Sequence, residues 1–141
     1  MTPPEPLPEP FCWPVRIYYE DTDAGGIVYY ANYLRFLERA RTEWLAKAGF
    51  THAALAREHH VAFVVHRLQI EYLRPAGLYD ALQVTLKLVQ RGRGRLVMAQ
   101  DVLRDGVMLA RAQVTLACLD PATWRPTRIP APVAERMETL A

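Results

Sequence analysis

One long amphipathic helix followed by a series of long alternating strands is the pattern that most constrains how this chain can fold. Tyr30, Tyr33, Leu34, Leu37, Trp44, Leu45 and Ala48 recur at helical spacing, which predicts a helix over residues 30–48 with one apolar face. Gly49 is a natural stop for it. A short second helix is expected over 51–58, and the spacing then changes to alternation. Val61, Phe63 and Val65 begin a strand that runs towards Leu73 and is ended by Pro75. Leu82, Val84, Leu86 and Leu88 alternate in the next, and Gly92 and Gly94 turn the chain into a strand over 95–104. Asp105-Gly106 is a hairpin signal leading into a last long strand over 107–119. A first short strand is expected over 15–19, and a terminal helical turn over 133–140. A helix of this length must bury its face against the strands, so the fold class is α+β, an antiparallel sheet wrapped around one long central helix. One helix covers one sheet face. An apolar second face or open edge would make oligomerisation the expected solution.

Within the helix, Arg39 with Glu43 and Glu43 with Lys47 are spaced as outer-face ion pairs. Arg41 breaks the apolar stripe. Either it finds a carboxylate partner, Glu38 or an acid from the preceding loop, or it extends past the stripe edge to water. The 141 residues suit one domain, assigned to 13–141. Residues 1–12, with Pro3, Pro4, Pro6, Pro8 and Pro10, form a proline-rich flexible tail too poor in apolar side chains for a core.

The loop ahead of the long helix holds the chemistry. Glu20, Asp21 and Asp23 crowd it, Gly25 and Gly26 follow, and the chain enters the helix directly. That layout aims an acid at unpaired helix N–H groups able to stabilise negative charge, which suits hydrolysis of an activated acyl group. Asp23 is the first choice for the acting carboxylate; turn-building is the competing reading, and Asp21 fits that structural role better. Gly26 permits close backbone approach, and the amides expected to face a substrate lie among Ile27, Val28, Tyr29 and Tyr30. Arg91, Arg93 and Arg95 form a short basic cluster that reads either as a contact for an anionic group such as a phosphate or as a solvated turn.

Other function classes fit poorly. A net charge of +2 and the lack of a basic face argue against nucleic acid. His52, His59, His60 and His66 show no metal-binding spacing, so no metal is expected, and no redox cofactor motif is present. Cys12 and Cys118 read as free thiols of a cytoplasmic protein, and no apolar run reaches membrane-span length.

The run Trp13-Pro14-Val15-Arg16-Ile17-Tyr18-Tyr19-Glu20-Asp21-Thr22-Asp23-Ala24-Gly25-Gly26-Ile27-Val28-Tyr29, with Asn32-Tyr33 and Glu38-Arg39-Ala40-Arg41-Thr42-Glu43, resembles the YbgC-type acyl-CoA thioesterases. These belong to the 4-hydroxybenzoyl-CoA thioesterase family of the hotdog fold. Val61-Ala62-Phe63-Val64-Val65 and Glu71-Tyr72-Leu73-Arg74-Pro75-Ala76 extend the likeness. The resemblance implies a hotdog fold and hydrolysis of an acyl-CoA to a carboxylic acid and free CoA. Asp23 would act as nucleophile or as general base for water, and the backbone amide at about Tyr30 would polarise the carbonyl. It also implies coenzyme A lying across a subunit interface with its phosphates near basic side chains, in a homodimer or homotetramer. No cofactor is implied beyond the CoA thioester itself. Proteins of this type are cytoplasmic but associated with the Tol-Pal envelope system. A non-hydrolytic protein that holds acyl groups, acyl carrier protein or an envelope partner is the rival reading. Many relatives carry His where Tyr30 stands, so any imidazole role is absent here or passes to the Tyr30 phenol, a hydrogen-bond donor but a poor base.

Overall fold

The structure is a computed structural model and describes residues 10–140. The expected strand–helix–meander order is present. It runs β1 (Phe11–Arg16), α1 (Asn32–Lys47), α2 (His52–His59), β2 (Ala62–Tyr72), β3 (Ala81–Arg91), β4 (Arg95–Arg104), β5 (Val107–Asp120), β6 (Arg125–Pro126) and α3 (Ala131–Leu140). The strands form one antiparallel sheet in the order β1-β3-β4-β5-β2, with β6 added beside β5. β1 and β2 are therefore its long edges.

α1 lies on one face of this curled sheet, over β1 and β3. Tyr33, Phe36, Leu37, Ala40, Trp44 and Leu45 are the residues it buries. They meet the inward positions of the strands, among them Leu82, Val84, Leu86, Met98, Val102, Val114 and Leu116. Tyr30 and Leu34 leave the expected stripe. Tyr30 precedes the helix and Leu34 faces outward, with exposures of 62% and 40%. Phe36 and Ala40 take their place in the contact with the sheet.

The start of the chain needs correction. The first strand begins at Phe11, not near residue 15, and Phe11 and Cys12, expected in the tail, pair with Leu86 and Thr85. Pro14 is tolerated because β1 is an edge and one side of it needs no ladder donor. Residues 1–9 of the proline-rich stretch lie outside the described residues. The C-terminal helical turn is in fact a ten-residue helix, α3, that buries Val133, Ala134 and Met137. Arg136 Nε donates to Ala48 O at 3.1 Å, satisfying a carbonyl at the end of α1.

The outer-face charges of α1 also pair differently. Arg39 sits over the Phe36 ring and Lys47 over Phe11, at 5.6 and 5.7 Å from the centroids, and neither makes an ion pair with Glu43. Exposed ion pairs are worth a few tenths of a kcal/mol at best, so a nearby ring face competes readily.

Candidate active site

Asp21 builds the acidic loop. Tyr19–Asp21 form a single 3₁₀ turn, and the Asp21 side chain is buried with Oδ2 accepting from the Tyr18 N–H at 2.9 Å. Its carbonyl accepts from the Tyr29 N–H at 3.0 Å and from Asn32 Nδ2 at 2.9 Å. The first residue of α1 is thereby tied to the loop eleven positions earlier.

Asp23 is exposed, and it closes a tight loop of its own. Its Oδ1 accepts from the Gly25 N–H at 2.8 Å, its carbonyl from Gly26 N–H at 3.0 Å, and its own N–H donates to Ile27 O at 2.8 Å. Gly26 has φ +81°, a conformation that a side chain would strain. The Asp23 carboxylate thus serves both readings, since one oxygen holds the turn while the group stays open to solvent.

The segment from Ile27 to Tyr30 is held from the other side by the loop between β2 and β3. Ile27 bridges Gly77, and the Val28 N–H donates to Ala76 O at 2.9 Å. Asp80 anchors that loop: Oδ2 accepts from the Gly77 N–H at 2.8 Å and from Arg104 Nη1 at 2.6 Å. The Gly77 amide holds the Asp80 carboxyl below its usual range; burial opposes it, and the Arg104 guanidinium adds to the lowering. Spacing within the acidic loop gives no sign of this clamp, because its parts come from distant strands.

α1 starts without a side-chain cap, with Ala31 in the capping position. Among the described residues the N–H groups of Tyr30 and Ala31 donate to nothing, so two donors stand open beside the loop that carries Asp23. Tyr72 of β2 fixes the peptide between them: its hydroxyl donates to Tyr30 O at 2.9 Å. Its ring meets Tyr30 and Tyr33 edge-on at 6.0 and 5.3 Å, and Tyr29 leans on Tyr30 at 5.0 Å. The Tyr30 side chain lies in this exposed aromatic cluster and is not part of the core.

The structure does not bring Arg91 and Arg93 to Asp23 within one chain. Arg16 pairs with Ala81 at the end of β3 nearest the acidic loop, and Arg91 closes the other end of the same strand. Arg91 lies ten positions beyond Ala81 along the strand, roughly 30 Å away. There Arg91 pairs with Glu138 of α3. Arg91, Arg93 and Arg128 line an open depression of about 680 Å³ that also holds Glu135 and Glu138. A second depression, of about 570 Å³, carries His66, Arg67, Arg93 and Arg95 and extends the basic surface to the free edge of β2.

Arg41 has a partner that is not an acid. Its Nη1 donates at 3.0 Å to Oε1 of Gln100, a fully buried residue of β4 whose Nε2 donates in turn to Leu37 O at 3.0 Å. The sequence carried a sign of this, since Gln100 occupies an inward position in the alternation Leu96, Met98, Gln100, Val102. A polar residue there calls for a partner.

A loop acid beside open helix N–H groups, on a helix wrapped by an antiparallel sheet, is an arrangement that suits acyl transfer. Comparison with known proteins gives the family: residues 18–137 match the thioesterase-like superfamily, and the chain belongs to it. The acyl-CoA thioesterase YbgC of Haemophilus influenzae is 44% identical over 123 residues, 87% of this chain and 90% of that protein. The acyl-CoA thioester hydrolase YbgC of Escherichia coli O6:H1 is 44% identical over 121 residues, 85% of this chain and 90% of its own. Among solved structures, a probable thioesterase from Bartonella henselae superposes with a TM-score of 0.81 at 34% identity, covering 84% of this chain and 98% of its own.

Proposed function

We propose that this chain hydrolyses acyl-CoA thioesters to a carboxylic acid and free CoA, with Asp23 as the acting carboxylate. The observation that carries the reading is the exposed Asp23 carboxylate on a loop bound directly to a helix start with two open N–H donors. The thioester carbonyl sits against the N–H of Tyr30, with Ala31 beside it. Asp23 then either attacks the carbonyl carbon, giving an anhydride that water cleaves, or removes a proton from an attacking water. In both routes negative charge builds on the carbonyl oxygen, where one fixed donor is worth about 10²–10³-fold in rate. The thiolate of CoA leaves and takes up a proton.

The substrate path runs over Gly26, Ile27, Val28 and Tyr29, and the CoA phosphates are bound by Arg91 and Arg93. The strand-length gap between these arginines and Asp23 supports a site completed by a second copy. The free edge of β2, where Val65 is 49% exposed, supports pairing of two chains along that edge into a dimer, the unit of any tetramer. The two free cysteines support a cytoplasmic setting. No helix among the described residues is long and apolar enough to cross a membrane.

Thiol release from short aliphatic, long aliphatic and aromatic acyl-CoAs tests the reading. Wild type is expected to turn over at least one class, and Arg93→Ala to raise KM with kcat little changed. Release from none of them would overturn hydrolysis and leave the acyl-carrier or envelope-partner reading in its place.

A further inference from the structure

Each of the two open N–H groups at the start of α1 belongs to a peptide whose carbonyl is held from behind. In a trans peptide the N–H and the C=O point in opposite directions, so whatever grips the oxygen also aims the N–H. The peptide that carries the Tyr30 N–H has its oxygen on Tyr29, and the Asn32 N–H holds it at 2.9 Å. That bond is local, supplied by the turn into the helix. The peptide that carries the Ala31 N–H has its oxygen on Tyr30. Among the described residues the backbone offers that oxygen only a long contact, from the Tyr33 N–H at 3.4 Å. The short bond comes from Tyr72, 42 positions further along the chain, whose hydroxyl donates at 2.9 Å.

Tyr72 is well placed to hold this peptide still. It ends β2, paired with Ala110 of β5. Its ring lies edge-on to Tyr33 at 5.3 Å, and Tyr33 is itself buried and packs against Phe36. Burial, then the neighbouring Tyr30 phenol, pushes the Tyr72 hydroxyl above its usual pKa, so it remains a donor at neutral pH. Solvent is close by, since Tyr72 is 43% exposed, and water can satisfy a carbonyl there almost as well. Satisfying the oxygen therefore does not by itself account for the contact. What the phenol adds over water is a fixed direction. A hydrogen bond to an amide oxygen also polarises the peptide and makes its N–H a stronger donor.

We propose that Tyr72 is a positioning residue of the oxyanion site: through the Tyr30–Ala31 peptide, its hydroxyl aims the Ala31 N–H and steadies the Tyr30 N–H beside it. The inference rests on the thioesterase reading and assigns the support of its oxyanion site to a strand residue outside the acidic loop and α1. The Tyr72 hydroxyl grips the side of the peptide opposite the open N–H, so it acts without touching the substrate.

Thiol release by wild type, Tyr72→Phe and Tyr72→Leu tests this, on the acyl-CoA that wild type turns over best. Tyr72→Phe keeps the ring against Tyr33 and removes only the hydroxyl. It is expected to lower kcat roughly 10-fold, short of the full worth of an oxyanion donor, because the N–H remains and only its aim is lost. KM should stay within about 2-fold of wild type and the melting temperature within roughly 3 °C. Tyr72→Leu should lie within about 3-fold of Tyr72→Phe, since the hydroxyl and not the ring carries the effect. The same acyl-CoA, isotope-labelled at its carbonyl and bound to Asp23→Asn, supplies a readout that a merely structural role would not move. Infrared difference spectra should show the thioester C=O stretch lowered from its value in water, and Asp23→Asn/Tyr72→Phe should reverse most of that shift. Wild-type kcat in Tyr72→Phe, a loss confined to KM, or the same carbonyl band in both Asn variants would overturn the inference and leave the thioesterase reading standing. No thiol release by wild type would overturn both.

Discussion

The pairing of Arg41 with Gln100 makes a quantitative prediction about the core. Arg41→Met removes a charge-assisted hydrogen bond worth about 1.5–3 kcal/mol and strands the Gln100 Oε1 in an interior where that residue is fully buried. Burial of the methionine returns about 1 kcal/mol, so the net loss is about 0.5–2 kcal/mol. Gln100→Leu leaves the half-buried guanidinium without its acceptor and costs about 2–3 kcal/mol. The double variant Arg41→Met/Gln100→Leu leaves neither group stranded. Replacing both partners by apolar groups of similar size is close to neutral, so its stability should fall within about 1 kcal/mol of wild type. The cycle then gives a coupling of about 1.5–5 kcal/mol. Urea unfolding followed by fluorescence, with the buried Trp44 as reporter and protein concentration held fixed, measures all four species. Thermal melts should follow at roughly 3 °C per kcal/mol. Single losses that add in the double variant to within about 0.5 kcal/mol would refute the partnership.

Two further perturbations test the frame around the site. Asp80 titrates below the usual range, so its contribution to stability is complete above the unfolded carboxylate value of about 4 and is lost as pH falls through the lower native value. Wild type should lose stability more steeply than Asp80→Asn between about pH 5 and pH 3 in urea unfolding, and parallel profiles would count against the clamp. At Gly94 an added Cβ would lie 2.8 Å from the backbone oxygen of Thr127, where no flexible side chain can yield. Gly94→Ala should therefore cost about 1–3 kcal/mol, and an unchanged melting temperature would refute that crowding.

What was legible in the sequence is what depends on neighbours along the chain. The helix over Asn32–Lys47 and the strand over Ala81–Arg91 follow from periodicity. The hairpin follows from Asp105 and Gly106, both found at positive φ. The acidic loop was readable for the same reason: Asp21, Asp23 and the open amides lie within eleven residues, and their hydrogen bonds are mostly local. Contacts between distant strands were not readable. Gln100 as the partner of Arg41, Tyr72 on Tyr30 O, and the Asp80–Arg104 clamp each join segments at least 24 positions apart. The ion pairs expected along α1 failed because spacing reports proximity on an isolated helix, whereas Phe36 and Phe11 offered Arg39 and Lys47 ring faces. The strand at Phe11 was missed because the neighbouring prolines disguise an edge strand that tolerates Pro14.

The central claim is that the Asp23 carboxylate carries the hydrolysis. Its most direct test is steady-state thiol release by Asp23→Asn beside wild type, on the acyl-CoA that wild type turns over best. The asparagine keeps an oxygen for the Gly25 N–H, so the loop should hold and the variant should melt with wild type. The account predicts a fall in kcat of at least about 10²-fold with KM little changed. An Asn variant that folds and turns over at the wild-type rate would show that Asp23 only builds the turn, and the mechanism proposed for this site would be wrong.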